Sequence, residues 1–165
     1  MILFDFNDVF ANFSDAVFAK FGKRPEEMTK AEYDSAMSSV VRTTFYQDLV
    51  RNQTGIDLLK WAIVDRKYDV ALILVNEVKS PTWVNREKIT FLDNICDELG
   101  LYHIDFSTCA TEAEIKLHVS RGPFVTRSNT RRKLWDSAGG YLSAGMYDDL
   151  SMCILGVEQS LIQHK

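Results

Sequence analysis

An aspartate stands directly behind a short apolar run: Ile2-Leu3-Phe4 precede Asp5, and Asn7 and Asp8 follow at once. A carboxylate carried to the carboxyl end of a buried strand lies where open α/β sheets form their ligand crevice, and is there a candidate for a functional site. The same placement suits an aspartate that caps the next turn. A second acidic pair, Asp148-Asp149, opens the last amphipathic segment, which carries Leu150, Ile154, Val157 and Leu161. Adjacent carboxylates are donors for a hard cation. Acids are also favoured at a helix start by the backbone dipole, and capping is the reading taken here. Cys96, Cys109 and Cys153 are an odd, widely spaced set that fits neither a disulfide framework nor a zinc pattern. They read as small buried hydrophobes in a reducing compartment. His103, His118 and His164 have no spacing suited to a metal or a triad, so no resident metal is expected.

The elements that must position Asp5 are legible as a strand and helix alternation. Ser14-Asp15 open an amphipathic segment with Ala16, Val17, Phe18 and Phe21. The stretch 22–46 leaves that rhythm: Thr29-Lys30-Ala31-Glu32 form a capping box, with Tyr33, Met37, Val40 and Val41 at helical spacing behind it. It reads as a small helical insert over the sheet. Thr54 is the expected N-cap of a helix bearing Ile56, Leu58, Leu59, Ala62 and Ile63. The unbroken apolar run Val70 to Val75 is a strand buried on both faces of a parallel sheet. Ser80 caps the next helix, with Pro81 in its first turn, and Gly100 ends it. On that helix Glu87-Lys88 read as a surface ion pair. Tyr102 to Phe106 are expected as a further strand, Thr111 to Glu114 as a second capping box, and Phe124 to Arg127 as the end of another strand.

A chain of 165 residues, 46% hydrophobic and 25% charged, fits one globular domain, 1–165. The net charge of −4 and pI near 5.4 exclude bulk coating of nucleic acid. The first residues are too acidic and the apolar run too short for a signal peptide, and no stretch reads as membrane-spanning, so the expected location is cytoplasmic.

Asp5-Phe6-Asn7-Asp8-Val9-Phe10-Ala11-Asn12-Phe13 resembles the first motif of haloacid-dehalogenase-type (HAD) phosphatases, in the small 5'(3')-deoxyribonucleotidase-like branch of bacteria and their viruses, which runs Asp-x-Asp-Gly-Val-x-Ala-Asp-Phe. The return from the insert, Phe45-Tyr46 and Leu49 before Gly55, is similar to that branch. So is the fourth motif, where Trp135 stands eight residues after Arg127 and Ala138-Gly139-Gly140 follow. The resemblance runs in order from Asp5 to Leu142. It implies a Rossmann-like three-layer α/β/α fold with a mostly parallel central sheet and a helical cap over 22–46.

In such enzymes the first Asp is the nucleophile and the second the general acid/base. Asp5 fills the first place and Asn7 the second, so the proton-handling group is lost, a function typically worth ~10²–10⁴-fold in rate. The family's phosphate-binding hydroxyl is replaced by Val75, with Asn76 beside it as partial compensation, and Lys116 lies where a phosphate-binding lysine is often found. The two metal-binding acids are Thr126 and Arg127. That exchange moves the local charge by about three units, enough to disfavour Mg²⁺ by several kcal/mol. The resemblance therefore implies a pseudo-phosphatase, with Asp5 a vestigial nucleophile and no cofactor. It acts as a binding or structural protein, in a virion if a phage encodes it, with a protein partner or self-association through an apolar C-terminal helix. Two other readings are a Mg²⁺-dependent 5'-nucleotidase with atypical motifs and a metal-free binder of nucleotide or phosphate at Asn76, Lys116 and Arg127. Arg127 is expected to pair with Asp5. In the wider version of that idea, Arg121, Arg131, Arg132 and Lys133 join it around an anion, against a simpler reading of the segment as a solvated basic helix start.

Overall fold

The six apolar residues Val70–Val75 form β2, buried from end to end, and the sheet is built outward from it. In the computed structural model, which describes residues 1–77 and 79–163, β2 lies between β1 (Ile2–Phe4) and β3 (Asp105–Cys109). β4 (Phe124–Thr126) pairs with the other side of β1, and β5 (Ser143–Gly145) with β4. All pairings are parallel, in the order β3-β2-β1-β4-β5. The expected three-layer α/β architecture with a parallel sheet is therefore the one observed.

Alternation along the strands divides the core. Ile2, Phe4, Leu72 and Leu74 join the larger apolar cluster with side chains of α1 (Phe13–Phe21), α3 (Gln53–Lys60), α4 (Pro81–Leu99) and α6 (Leu150–Gln163). Leu3, Ala71 and Ile73 belong to the smaller one, with Ile115 and with Trp135 of α5 (Asn129–Asp136). This period-2 partition is the pleat of a sheet covered on both faces. Trp135 is fully buried, stacks on Phe124 at 4.8 Å between centroids, and donates its indole N–H to the Tyr141 carbonyl at 2.7 Å.

Within 22–46 lie a 3₁₀ turn (Pro25–Glu27) and α2 (Lys30–Ser39). The Thr29 capping box is present in both directions, Glu32 N–H to Thr29 Oγ1 at 3.1 Å and Thr29 N–H to Glu32 Oε1 at 3.0 Å. Ala36, Met37 and Val40 join the larger core cluster, so this segment packs as part of the domain.

Several local expectations are corrected. α3 begins two residues earlier than expected, with Asn52 rather than Thr54 at the N-cap, and the Thr54 hydroxyl donates instead to the Asp148 carbonyl at 3.3 Å. Ser80 precedes Pro81 as expected but sits at φ +52° and makes no side-chain cap bond. The third strand is Asp105–Cys109 rather than 102–106; it is an edge strand, and most of it is exposed. Thr111 caps no α-helix: residues Glu112–His118 are a 3₁₀ helix without a side-chain cap, and Glu114 Oε2 accepts the Ala110 N–H at 2.7 Å. No helix among the described residues is long and apolar enough to cross a membrane.

Candidate functional site

The strand order reverses at β1: the chain passes from β1 to β2 and β3 on one side, then returns to β4 and β5 on the other. Parallel sheets open a crevice at the carboxyl ends of the strands flanking such a reversal. Asp5 follows β1 there, and Thr126 ends β4 beside it, held by the Asp5 N–H bond to the Val125 carbonyl at 2.9 Å.

The Asp5 side chain is 3% exposed and fully engaged. Its Oδ1 accepts from the Phe6 N–H at 2.9 Å and from the Arg131 guanidinium at 2.7 Å, and its Oδ2 accepts from the Thr126 hydroxyl at 2.7 Å. Thr126 Oγ1 in turn accepts the Ser128 N–H at 3.1 Å, and Ser128 Oγ caps α5 by accepting the Arg131 N–H at 3.2 Å. The strand end, the cap and the guanidinium are thus one chain of hydrogen bonds. Arg131 also lies 3.8 Å from Glu112. Burial opposes its charge, but Asp5 and Glu112 outweigh that and hold its pKa above the ordinary arginine value.

A second charged layer borders the first. Lys88 of α4 is 4% exposed, with its ammonium 3.7 Å from Glu77 and about 6 Å from the ring centroids of Phe6 and Tyr46. Burial lowers its pKa despite Glu77. The Tyr33 hydroxyl donates to the same Glu77 oxygen at 3.4 Å. The expectation of a surface Glu87-Lys88 pair is corrected: Lys88 points inward, where its partner is Glu77.

Of these groups Asp5, Tyr33, Glu77, Glu112 and Arg131 edge a cavity of about 880 Å³. Seven carboxylates and four cationic side chains line it, and each cation is already paired: Arg24 with Asp15, Lys30 with Asp34, Arg127 with Asp148, Arg131 with Asp5. The balance is acidic, which opposes a phosphate.

The sequence-derived residues are distributed as follows. Asp5, Asn7, Asn76 and Arg127 line the cavity, and Val75, buried, lines it as well. Asn76 Oδ1 accepts from Asn85 Nδ2 at 2.8 Å. Asn7 Oδ1 is buried with no hydrogen-bond donor among the described residues. Lys116 is exposed and away from the cavity lining. Arg127 does not meet Asp5: its guanidinium is 2.6 Å from Asp148 and 3.3 Å from the Met146 carbonyl, and the partner of Asp5 is Arg131. Of the other bases, Arg121 bonds Ser107 and Arg132 bonds Ser143, so the segment does not converge on one anion. Asp149 Oδ1 accepts the Met152 N–H at 3.2 Å, the geometry of a helix cap. Cys96, Cys109 and Cys153 are buried free thiols. His103 pairs with Asp97 at 2.7 Å and His118 meets Arg121 at 3.0 Å, while His164 lies outside the described residues.

Asp8, in the loop after β1, carries φ +61°. Its carboxylate repays that backbone strain locally, accepting the Ser14 N–H at 2.9 Å and the Ser14 hydroxyl. Burial raises its pKa.

Mg²⁺ requires a set of hard oxygen donors. Beside Asp5 stand a threonine hydroxyl already donated to it and an arginine, and no group of three His, Cys, Asp or Glu among the described residues is placed to hold a metal ion. The residues present do not fit the ion. Glu77 and Glu112 are not singled out by the sequence, and Arg131 stands out there only as a member of the basic cluster around Arg127; the signal for its pairing is that a buried Asp5 demands a cation on the inner face of the helix after β4. No family model matches the chain, and no curated protein matches it significantly.

Proposed function

We propose that this chain is a catalytically degenerate relative of the HAD-type phosphatases that acts as a binding or assembly protein. The observation that carries the proposal is the ion pair between Asp5 and Arg131, 2.7 Å long, with Thr126 bonded to the other carboxylate oxygen. Attack on phosphorus needs a carboxylate oxygen directed at the substrate and a cation on the phosphate. Here the Asp5 oxygens accept three hydrogen bonds, and the adjacent guanidinium is committed to Asp5 and Glu112. Asn7 has no titrating proton to donate to a leaving group.

The same geometry weighs against the other two readings. A Mg²⁺-dependent nucleotidase lacks its donor set, and a metal-free phosphate binder faces a cavity with more carboxylates than cations, each cation paired. A protein partner or a second copy is the ligand class that remains, in the cytoplasm or in a virion if a phage encodes the chain. The test is the melting temperature titrated with Mg²⁺ and with a deoxynucleoside monophosphate, separately and together. The proposal expects no rise from any of them. A saturable rise with Mg²⁺ would favour the nucleotidase, and one with nucleotide alone the metal-free binder.

A further inference from the structure

Two buried carboxylates at the crevice are satisfied very differently. Asp5 collects three hydrogen bonds, at 2.9, 2.7 and 2.7 Å, spread over both of its oxygens. The Glu77 side chain is only 9% exposed, yet its contacts are long, the Tyr33 hydroxyl at 3.4 Å and the Lys88 ammonium at 3.7 Å, and both fall on Oε1. Its Oε2 has no donor among the described residues. A carboxylate withdrawn from water is normally bonded on both oxygens, so an open one beside a cavity is a place for a donor from outside. Glu77 lines that cavity together with Tyr33, Glu112 and Arg131. Glu77 and Glu112 both bear electrostatically on the Tyr33 hydroxyl and on the Arg131 guanidinium, so the two face one corner of it. With Asp5 that corner holds three carboxylates against two cations, Arg131 and Lys88, and one further positive charge neutralises it.

We infer that this corner of the crevice takes the ammonium of a lysine side chain from a partner protein, with Glu77 Oε2 as the principal acceptor and Glu112 beside it. Lysine is selected over arginine by the single open oxygen of Glu77. A guanidinium fork matches two carboxylate oxygens at once, whereas an ammonium is a point donor. The aliphatic stem of lysine also finds apolar wall in the cavity, from Phe13, Pro25, Tyr33 and Val75. The acidic balance that opposes a phosphate here is the same balance that draws a cation in.

The inference rests on the binding-protein reading and names what the partner presents. It is tested by amide NMR titration of the full chain at low ionic strength, where charge pairing is least screened. The probes are the peptide acetyl-Gly-Gly-Lys-Gly-Gly-amide, its Nε-acetyllysine counterpart, n-butylamine and inorganic phosphate. The expected result is saturable shifts around the cavity with the lysine peptide and none with the acetylated peptide or phosphate. The dissociation constant of the lysine peptide should rise at least tenfold in Glu77→Gln and at least threefold in Glu112→Gln. Thermal melting checks that each variant folds, and Glu112, with its side chain 43% exposed, decides the matter if Glu77→Gln does not. No saturable shift with the lysine peptide, equal binding of the acetylated one, or binding unchanged in the folded variants overturns the inference. Uptake of n-butylamine with refusal of the peptide overturns the protein source. Phosphatase turnover is read separately: hydrolysis that depends on Asp5 defeats the degenerate-enzyme reading, whereas an inactive chain that refuses the peptide defeats the lysine site alone.

Discussion

Arg131 and Asp5, separated by 126 residues in the chain, meet across the β1–β4 reversal with a guanidinium nitrogen 2.7 Å from a carboxylate oxygen. The side chains are 15% and 5% exposed, so the charges are largely withdrawn from water and depend on each other.

Removing one member should be costly. Arg131→Met is expected to destabilise the fold by about 3 kcal/mol, because it strands a buried carboxylate. Adding Asp5→Asn should recover much of that loss, since the charge then disappears with its partner. Urea denaturation of the two single variants and the double variant measures the coupling directly.

The second buried pair follows the same logic with a weaker contact. Lys88→Met leaves Glu77, only 9% exposed in its side chain, with the Tyr33 hydroxyl alone. A loss of about 2 kcal/mol is expected, and Lys88→Met with Glu77→Gln should return close to wild type, as when apolar or neutral groups replace a buried pair. Thermal melts of the three variants decide it.

Gly55 is required by close packing. A Cβ built there would lie 1.7 Å from the Val9 carbonyl oxygen, and that oxygen belongs to the loop that carries Asp5 into the crevice. Gly55→Ala should therefore cost about 3 kcal/mol, at the upper end of overpacking, against the small gain normally expected of alanine in a helix. Chemical denaturation gives the sign unambiguously.

The clearest pH response expected near neutrality comes from His103. Its hydrogen bond to Asp97 and the charge of Asp93 raise its pKa above 6.5. A raised folded-state pKa means that its contribution to stability is full below 6.5 and is lost as pH climbs through the raised value. His118 works the other way: burial first, then Arg121, lowers its pKa, so its contribution grows as pH rises toward 6.5. His103→Gln should flatten the decline of melting temperature above pH 6.5 and leave the rise below it.

The parts of this architecture that were legible in the sequence are those where burial is unambiguous. β2 shows as Val70 to Val75 because both faces are covered, and the Thr29 box shows because its two bonds are local. β3 starts three residues later than the sequence pattern places it: Asp105–Cys109 is an exposed edge strand, with Phe106 half in solvent, and apolar patterning says little about such a strand. At the site, Asp5 was recognisable, but its partner depended on helix phase. Arg127 leaves β4 toward Asp148, whereas Arg131, one turn later and capped by Ser128, points back at Asp5. Lys88 reads as surface, although it is buried, because nothing in Glu87-Lys88 tells which side of α4 faces the sheet.

The central claim, that the Asp5 crevice is closed to phosphoryl chemistry, is tested most directly by turnover. Purified chain with Mg²⁺ is assayed on deoxynucleoside monophosphates and on an aryl phosphate, beside an Asp5→Asn control. Hydrolysis no greater than the control is the expected result. Magnesium-dependent hydrolysis that disappears in Asp5→Asn would contradict the account and make Asp5 a working nucleophile.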